Sequence, residues 1–245
     1  MPGTEGDVTT GLLVAGLVVL VGALVQGAVG YGMNLIAAPL LTLLDPALVP
    51  TPLLLIASTH AVLAVLRERG STDWPGVGWV MVGRLPGTAL GVLAVATLPH
   101  GPFGAVVGVA VLVCVLLSVT SWHPRPVAGP LVVAGVAAGA LGTAVSIGGP
   151  PVALLYQHSE GARIRATLAA VFALGSTMSV IGLVIAGQVT VAHLIAAAWL
   201  VPFLVAGFAL SSRARRILDA GRMRTAVLTV AVASSIALIV RSALG

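Results

Sequence analysis

The chain has 245 residues, of which 58% are hydrophobic and 8% are charged, and its mean hydropathy is +1.13. A soluble domain carries about 25% charged residues, so this composition excludes a globule that faces water. The net charge of +5 comes from arginine alone, and the arginines lie in short segments between apolar runs, as in membrane proteins. We therefore expect an all-α polytopic membrane protein, surrounded by the lipid bilayer and without a nucleic-acid partner.

Apolar segments of two lengths follow one another along the chain. Two short ones, near 33–44 and 149–157, each follow a glycine-rich break. Eight others are long enough to span a bilayer, and the sequence predicts one membrane domain over residues 1–245. The long segments lie near 10–26, 49–66, 75–98, 102–120, 129–143, 165–187, 191–211 and 223–240.

Matching residues recur in the same order in the two halves of the chain. The ordered series predicts two related repeats, at about 8–120 and 129–240. The matches are Gly27-Ala-Val-Gly30 with Gly139-Ala-Leu-Gly142 at an offset of 112, Ser58-Thr59 with Ser176-Thr177 at 118, and Pro86 with Pro202 at 116.

The arginines predict how the repeats are oriented. Ten of the twelve lie in four loops, whereas the N-terminus and the loops around Pro46, His100 and Gln188 contain none. If the arginine loops are cytoplasmic, the N-terminus is external and each repeat is a broken-helix hairpin followed by three transmembrane helices. Each repeat then crosses the membrane an odd number of times. The two repeats would be inverted, an arrangement typical of secondary transporters.

The two glycine-rich breaks form the candidate substrate site. Backbone that leaves a helix at membrane depth must be buried in protein or line a cavity. A short helix that starts there directs its N-terminal N–H groups into the cavity, which favours an anion. Close helix packing is the alternative role for these small residues. The candidates at the breaks are Gln26, Gly30, Tyr31, Gly32, Met33, Asn34, Ser146, Gly148, Gly149 and Pro150.

Polar residues inside the neighbouring segments extend this site. Arg84 lies about ten residues, or roughly 15 Å, into its segment, where a charge is costly and suggests function. The alternatives are an arginine that snorkels to the cytoplasmic face or one that caps the carbonyl groups of a broken helix. His60 could bind substrate or carry a proton. The alternative is a structural histidine that is hydrogen-bonded to a backbone carbonyl. The remaining candidates are Ser58, Thr59, Arg165, Ser176 and Thr177.

The sequence does not predict an enzyme. It contains no HExxH, GxSxG or P-loop motif, so no catalytic residue and no cofactor is expected. The single cysteine, Cys114, lies in an apolar run and cannot form a metal site alone. A small anion is the expected partner, and assembly into a homo-oligomer is left open.

The breaks resemble those of one transporter family. The first reads VQGAVGYGMNLIAAPLL, the second reads GALGTAVSIGGPPVALLY and precedes RIRATLAAVF, and RLPGTALG fits a third-helix motif. These stretches resemble the sulfite exporter TauE/SafE family. The resemblance implies a multipass exporter of sulfite or organosulfonates in the bacterial plasma membrane, working by alternating access around the broken-helix ends. A passive anion channel and an accessory or binding protein without flux are the alternatives.

Overall fold

The computed structural model describes residues 5–68, 70–98, 100–120, 124–217 and 220–244. The chain is 87% helical, and the described residues contain no strand. A 3-10 turn at Pro46–Leu48 joins α2 to α3. The helices are α1 (Glu5–Val29), α2 (Met33–Leu44), α3 (Thr51–Arg67), α4 (Trp74–Thr97), α5 (His100–Val119), α6 (Ala128–Val145), α7 (Gly149–Tyr156), α8 (Gly161–Ile185), α9 (Val191–Ile217) and α10 (Ala220–Leu244).

Seven described helices are long and apolar enough to cross a membrane. The eighth segment predicted to span corresponds to α5, a helix of 20 residues at His100–Val119. These helices, α5 included, expose large apolar side chains such as Leu85, Leu116 and Ile185. A surface of this kind is stable in hydrocarbon and unfavourable in water. The structure thus confirms an all-α polytopic membrane protein.

The two helix breaks share their length and the conformation of their first residue. Three residues separate α1 from α2 and three separate α6 from α7, and the first residue of each break has a positive φ, 106° at Gly30 and 63° at Ser146. The helix bounds therefore place equivalent positions 116 residues apart at the breaks. The sequence match there, at 112, differs by about one helical turn.

The packing of the helices follows the same duplication. Helix α4 lies along α6, and α1 lies along α9; α3 packs on α8 and α9, and α8 packs on α3 and α4. Exchanging α1–α5 with α6–α10 reproduces these pairs. Buried apolar residues form two clusters, one that includes α2 and one that includes α7. The pattern is what two related repeats would produce, and their opposite orientation in the membrane stays a prediction.

Helices α4 and α6 approach each other through glycines. Gly83 and Gly87 on α4 face Gly135 and Gly139 on α6, and a Cβ on any of the four would overlap the backbone of the facing helix. Small residues spaced by four allow such close approach of helices in membranes. This seam brings Arg84, which lies between the two α4 glycines, next to the break that follows α6.

Candidate functional site

A small cavity lies between the two helix breaks and the middle of α4. Its volume is about 50 Å³, and at roughly 10–15 Å³ per water-sized group it accommodates a compact ion of a few heavy atoms. Both halves of the chain contribute to it. The predicted site residues in its lining are Gln26, Tyr31, Gly32, Asn34, Arg84, Ser146, Gly148, Gly149, Pro150 and Ser176.

Arg84 supplies the positive charge in the cavity wall. Only 3% of the residue is exposed, so it does not snorkel to a membrane surface. The ion pairs among the described residues all involve Glu68 or Asp73, and none includes Arg84. Its Nη2 donates to Ser179 Oγ at 3.5 Å, and within the described chain its Nε has no hydrogen-bond partner. A buried guanidinium without a compensating anion is unfavourable, and no described carboxylate compensates this one.

Glycines make room for the guanidinium of Arg84. A Cβ on Gly142 would lie 3.1 Å from Nη2, and one on Gly148 would lie 3.3 Å from Nη1. A Cβ on Gly175 would overlap the guanidinium itself. Three glycines, one in the last turn of α6, one at the α6–α7 break and one on α8, thus define where the cation can lie.

A chain of hydrogen bonds fixes the start of α2. The N–H of Met33 donates to Gln26 Oε1 at 3.2 Å, Gln26 Nε2 lies 3.2 Å from His60 Nδ1, and His60 Nε2 lies 3.3 Å from the carbonyl oxygen of Ala23. A carbonyl only accepts, so the proton of the imidazole is on Nε2 and Nδ1 accepts from Gln26. His60 therefore holds a backbone carbonyl and orients Gln26, whose second amide hydrogen is left for the cavity.

The helix starts offer fewer N–H groups than the sequence analysis expected. The N–H of Met33 already bonds to Gln26. Pro150 and Pro151 have no N–H, so Gly149 is the only N–H donor among the first three residues of α7. The helix ends thus add a partial positive charge, while Arg84 carries the full one.

The two breaks are bonded to each other. Asn34 Nδ2 donates to the carbonyl oxygen of Ser146, and Ser146 Oγ donates to the carbonyl oxygen of Pro50 at 2.9 Å. Asn34 Oδ1 is buried and has no hydrogen-bond partner within the described chain. These contacts hold α2, the residues before α3 and the second break around the same cavity.

Seven predicted site residues lie outside the lining of this cavity. The hydroxyl groups of Ser58, Thr59 and Thr177 bond to carbonyl oxygens one helical turn earlier, which satisfies them within their own helices. The Nε of Arg165 lies 3.1 Å from Glu68 Oε1, so this cation is already paired. The seven are Gly30, Met33, Ser58, Thr59, His60, Arg165 and Thr177.

Glu68 gathers three arginines just beyond the end of α3. Its Oε1 lies 2.6 Å from Arg215 Nη1, 3.1 Å from Arg165 Nε and 3.7 Å from Arg67 Nε. Burial raises the pKa of Glu68, but the hydrogen bonds from the arginines outweigh it and the net pKa is below its ordinary value. Arg67 also donates to the carbonyl oxygen of Gly27 at 2.6 Å. The carboxylate therefore joins α3, α8 and α9 near the end of α1.

Sequence reasoning missed the residues that position Arg84. Gly175 and Ser179 lie four residues apart on one face of α8, and Thr143 bonds to Ser179 at 2.7 Å between the hydroxyl oxygens. The spacing of small residues on α8 could have indicated a close helix contact. The lining residues that were not predicted are Leu35, Leu54, Ala57, Gly142, Ile147 and Phe172.

The fold and the cavity define a class, a polytopic α-helical membrane protein with paired broken helices around a small cationic cavity, the build of a transporter. The profile of the sulfite exporter TauE/SafE family matches residues 14–238. The chain belongs to this family, which confirms the resemblance seen in its break motifs. No curated protein matches the chain, and no solved structure does.

Proposed function

We propose that the protein is a secondary transporter that exports small anions of the sulfite or organosulfonate class across the bacterial plasma membrane. The observation that carries the proposal is Arg84, a guanidinium 3% exposed in the wall of a cavity between two helix breaks, with no carboxylate partner among the described residues. Membership of the TauE/SafE family supports the substrate class.

An anion in this cavity would supply the negative charge that Arg84 lacks among the described residues. Charge-assisted hydrogen bonds from a guanidinium to an oxyanion are among the stronger ones in proteins. Gln26 and the N–H of Gly149 are the neighbouring donors in the lining. The volume of about 50 Å³ suits the head group of sulfite or a sulfonate, and a longer organic tail would need the cavity to open.

Alternating access would move the two halves around this site. The cavity lies between the breaks of both halves, and the helix pairs around it repeat when the halves are exchanged. In transporters with inverted repeats, rocking of one repeat against the other opens a central site to either side in turn. We place the N-terminus outside, because the four arginine loops then face the cytoplasm.

The test is uptake of radiolabelled sulfite and sulfoacetate into liposomes that contain only this protein, with and without a pH gradient. We expect saturable flux and accelerated exchange when the lumen is preloaded with sulfite. Flux that does not saturate and shows no exchange would indicate a channel, and absence of flux would indicate an accessory protein.

The site is tested in the same liposomes with Arg84→Gln. This change keeps a polar side chain but removes the charge, and losing a charge-assisted contact of about 1.5–3 kcal/mol lowers affinity roughly ten- to a hundredfold. Arg241→Gln is the matched control, because Arg241 is an exposed arginine that donates to the carbonyl oxygen of Leu43. An inserted Arg84→Gln protein that transports like the parent would contradict the assignment.

A further inference from the structure

A second, larger cavity adjoins the first. Its volume is about 240 Å³, and it is bounded by residues of α5, α7 and α10. Tyr31 and Pro150 line both this cavity and the one that contains Arg84. Two side chains at the helix breaks thus form a common wall between the two spaces.

Arg224 on α10 lies in the wall of the second cavity. Its Nη2 donates to the carbonyl oxygen of Ser118, while its Nε is buried and has no hydrogen-bond partner within the described chain. None of the ion pairs among the described residues includes Arg224. Gln157 provides a further polar side chain in the lining. The second cavity therefore resembles the first in having a cation whose charge no described carboxylate balances.

A third, narrow space links the two arginines more closely. It has a volume of about 10 Å³ and is lined by Arg224 together with Gly32 and Leu35, both of which also line the Arg84 cavity. Tyr31 is part of all three linings. The lining of the Arg84 cavity and the two linings that contain Arg224 thus share one aromatic residue.

We propose that Arg224 forms a second anion-binding site, which holds the transported anion between the Arg84 cavity and the membrane face that carries the last arginine loop. This proposal rests on the proposed function. Tyr31 separates the two sites, so that an anion passes from one arginine to the other when this side chain moves. The ligand is the same class of small oxyanion at both sites.

The sizes of the two cavities assign them different tasks. At roughly 10–15 Å³ per water, about 240 Å³ accommodates an anion with part of its hydration shell, whereas about 50 Å³ accepts the anion nearly bare. A cation in the outer space raises the local concentration of anions and lets the ion lose water in two steps. Sites in series also keep each binding step weak enough for release.

The experiment compares variants of the whole protein by calorimetric titration with sodium sulfite and by flux of radiolabelled sulfite. We expect two ions per chain for the parent and one for Arg224→Gln, whose half-saturating sulfite concentration at the arginine-loop face should rise about ten- to a hundredfold. Arg224→Lys should keep both ions. Arg241→Gln is the control, because it removes an arginine of the same helix that also bonds to a backbone carbonyl.

A second variant tests the cavity without changing any charge. Ala153 is 7% exposed and lines the second cavity, so Ala153→Phe should fill this space and remove the same ion. Two ions and normal flux in folded Arg224→Gln or Ala153→Phe would overturn the second site. If Arg84→Gln removes one ion and these two variants remove none, only the second site fails. If Arg84→Gln also removes none, the proposed function fails.

Discussion

Gly175 lies directly against the guanidinium of Arg84, so close that a Cβ at position 175 would overlap it. Gly175 makes no polar contact with the cation. Gly175 lies on α8, which does not flank either break, and its role is to leave space for the cation. The position of the positive charge in the central cavity therefore depends on the absence of a side chain at residue 175.

Gly175→Ala should act on the cavity through sterics alone. The methyl group would push the Arg84 guanidinium away from α8, and we expect anion affinity to fall by about tenfold or more, as for the loss of one charge-assisted contact. Binding of sulfite to the purified protein measures this. Gly78→Ala on α4 is the control, since a Cβ there meets nothing within 4 Å. Equal affinity in the two variants would show that the guanidinium has another place to go.

Gly32→Ala should impair transport through the backbone of the first break. Gly32 has a φ of 119°, and a left-handed conformation costs a residue with a side chain about 1–2 kcal/mol. The control is Gly70→Ala, with a φ of 100° and nothing within 4 Å of a Cβ. We expect similar losses of thermal stability in both variants and reduced flux only in Gly32→Ala. If flux falls equally in both, general instability is the cause and the start of α2 is not special.

His60 should matter for positioning and not for charge. His60→Leu removes the acceptor for Gln26 and the donor to Ala23, so the amide that bonds to the N–H of Met33 would lose its orientation. We expect sulfite affinity to fall about five- to tenfold, the equivalent of one neutral hydrogen bond. His60→Gln has both a donor and an acceptor and should restore most of it. Normal transport in His60→Leu, or no recovery in His60→Gln, would contradict this role.

The sequence was sufficient to locate the breaks and Arg84, because both depend on local rules. Glycines interrupt an apolar segment where they occur, and a charge deep in a segment is costly whatever surrounds it. The segment predicted at 102–120 corresponds to α5, a helix of 20 residues at His100–Val119. These features need little knowledge of three-dimensional contacts.

The contacts of residues outside the cavity lining depend on partners far away in the chain. Arg165 was expected near the substrate, but the carboxylate of Glu68, 97 residues earlier, binds it. His60 bonds to residues 34 and 37 positions away. Gly175 on α8 lies against Arg84 on α4. A single sequence contains the residues of such pairs without indicating that they meet.

Glu68→Gln should destabilise the protein by removing the counter-charge of three arginines. The net pKa of Glu68 is below its ordinary value, so its stabilising effect is complete above the pKa of the unfolded chain and is lost as pH falls through the lower, folded pKa. We expect a loss of about 1–3 kcal/mol at pH 7, and a smaller difference from the parent at acid pH. Thermal unfolding in detergent at several pH values measures both.

The control for Glu68 is Glu160→Gln. Glu160 is exposed, and none of the ion pairs among the described residues includes it. Its neutralisation should leave the unfolding temperature unchanged at every pH. Equal effects of the two substitutions would mean that the arginine cluster does not depend on its carboxylate.

The inverted orientation of the repeats predicts which loops face the cytoplasm. Cys114 is buried, and Cys114→Ala gives a background for single cysteines. In intact cells, a thiol reagent that cannot cross the membrane should label Ala47→Cys, an exposed position, and should label Gly70→Cys, Ser159→Cys and Gly221→Cys only after the membrane is opened. The reason is that arginine-rich loops are retained in the cytoplasm. External labelling at Ser159 without labelling at Gly70 would give the halves the same orientation, and transport by two inverted repeats would have to be abandoned.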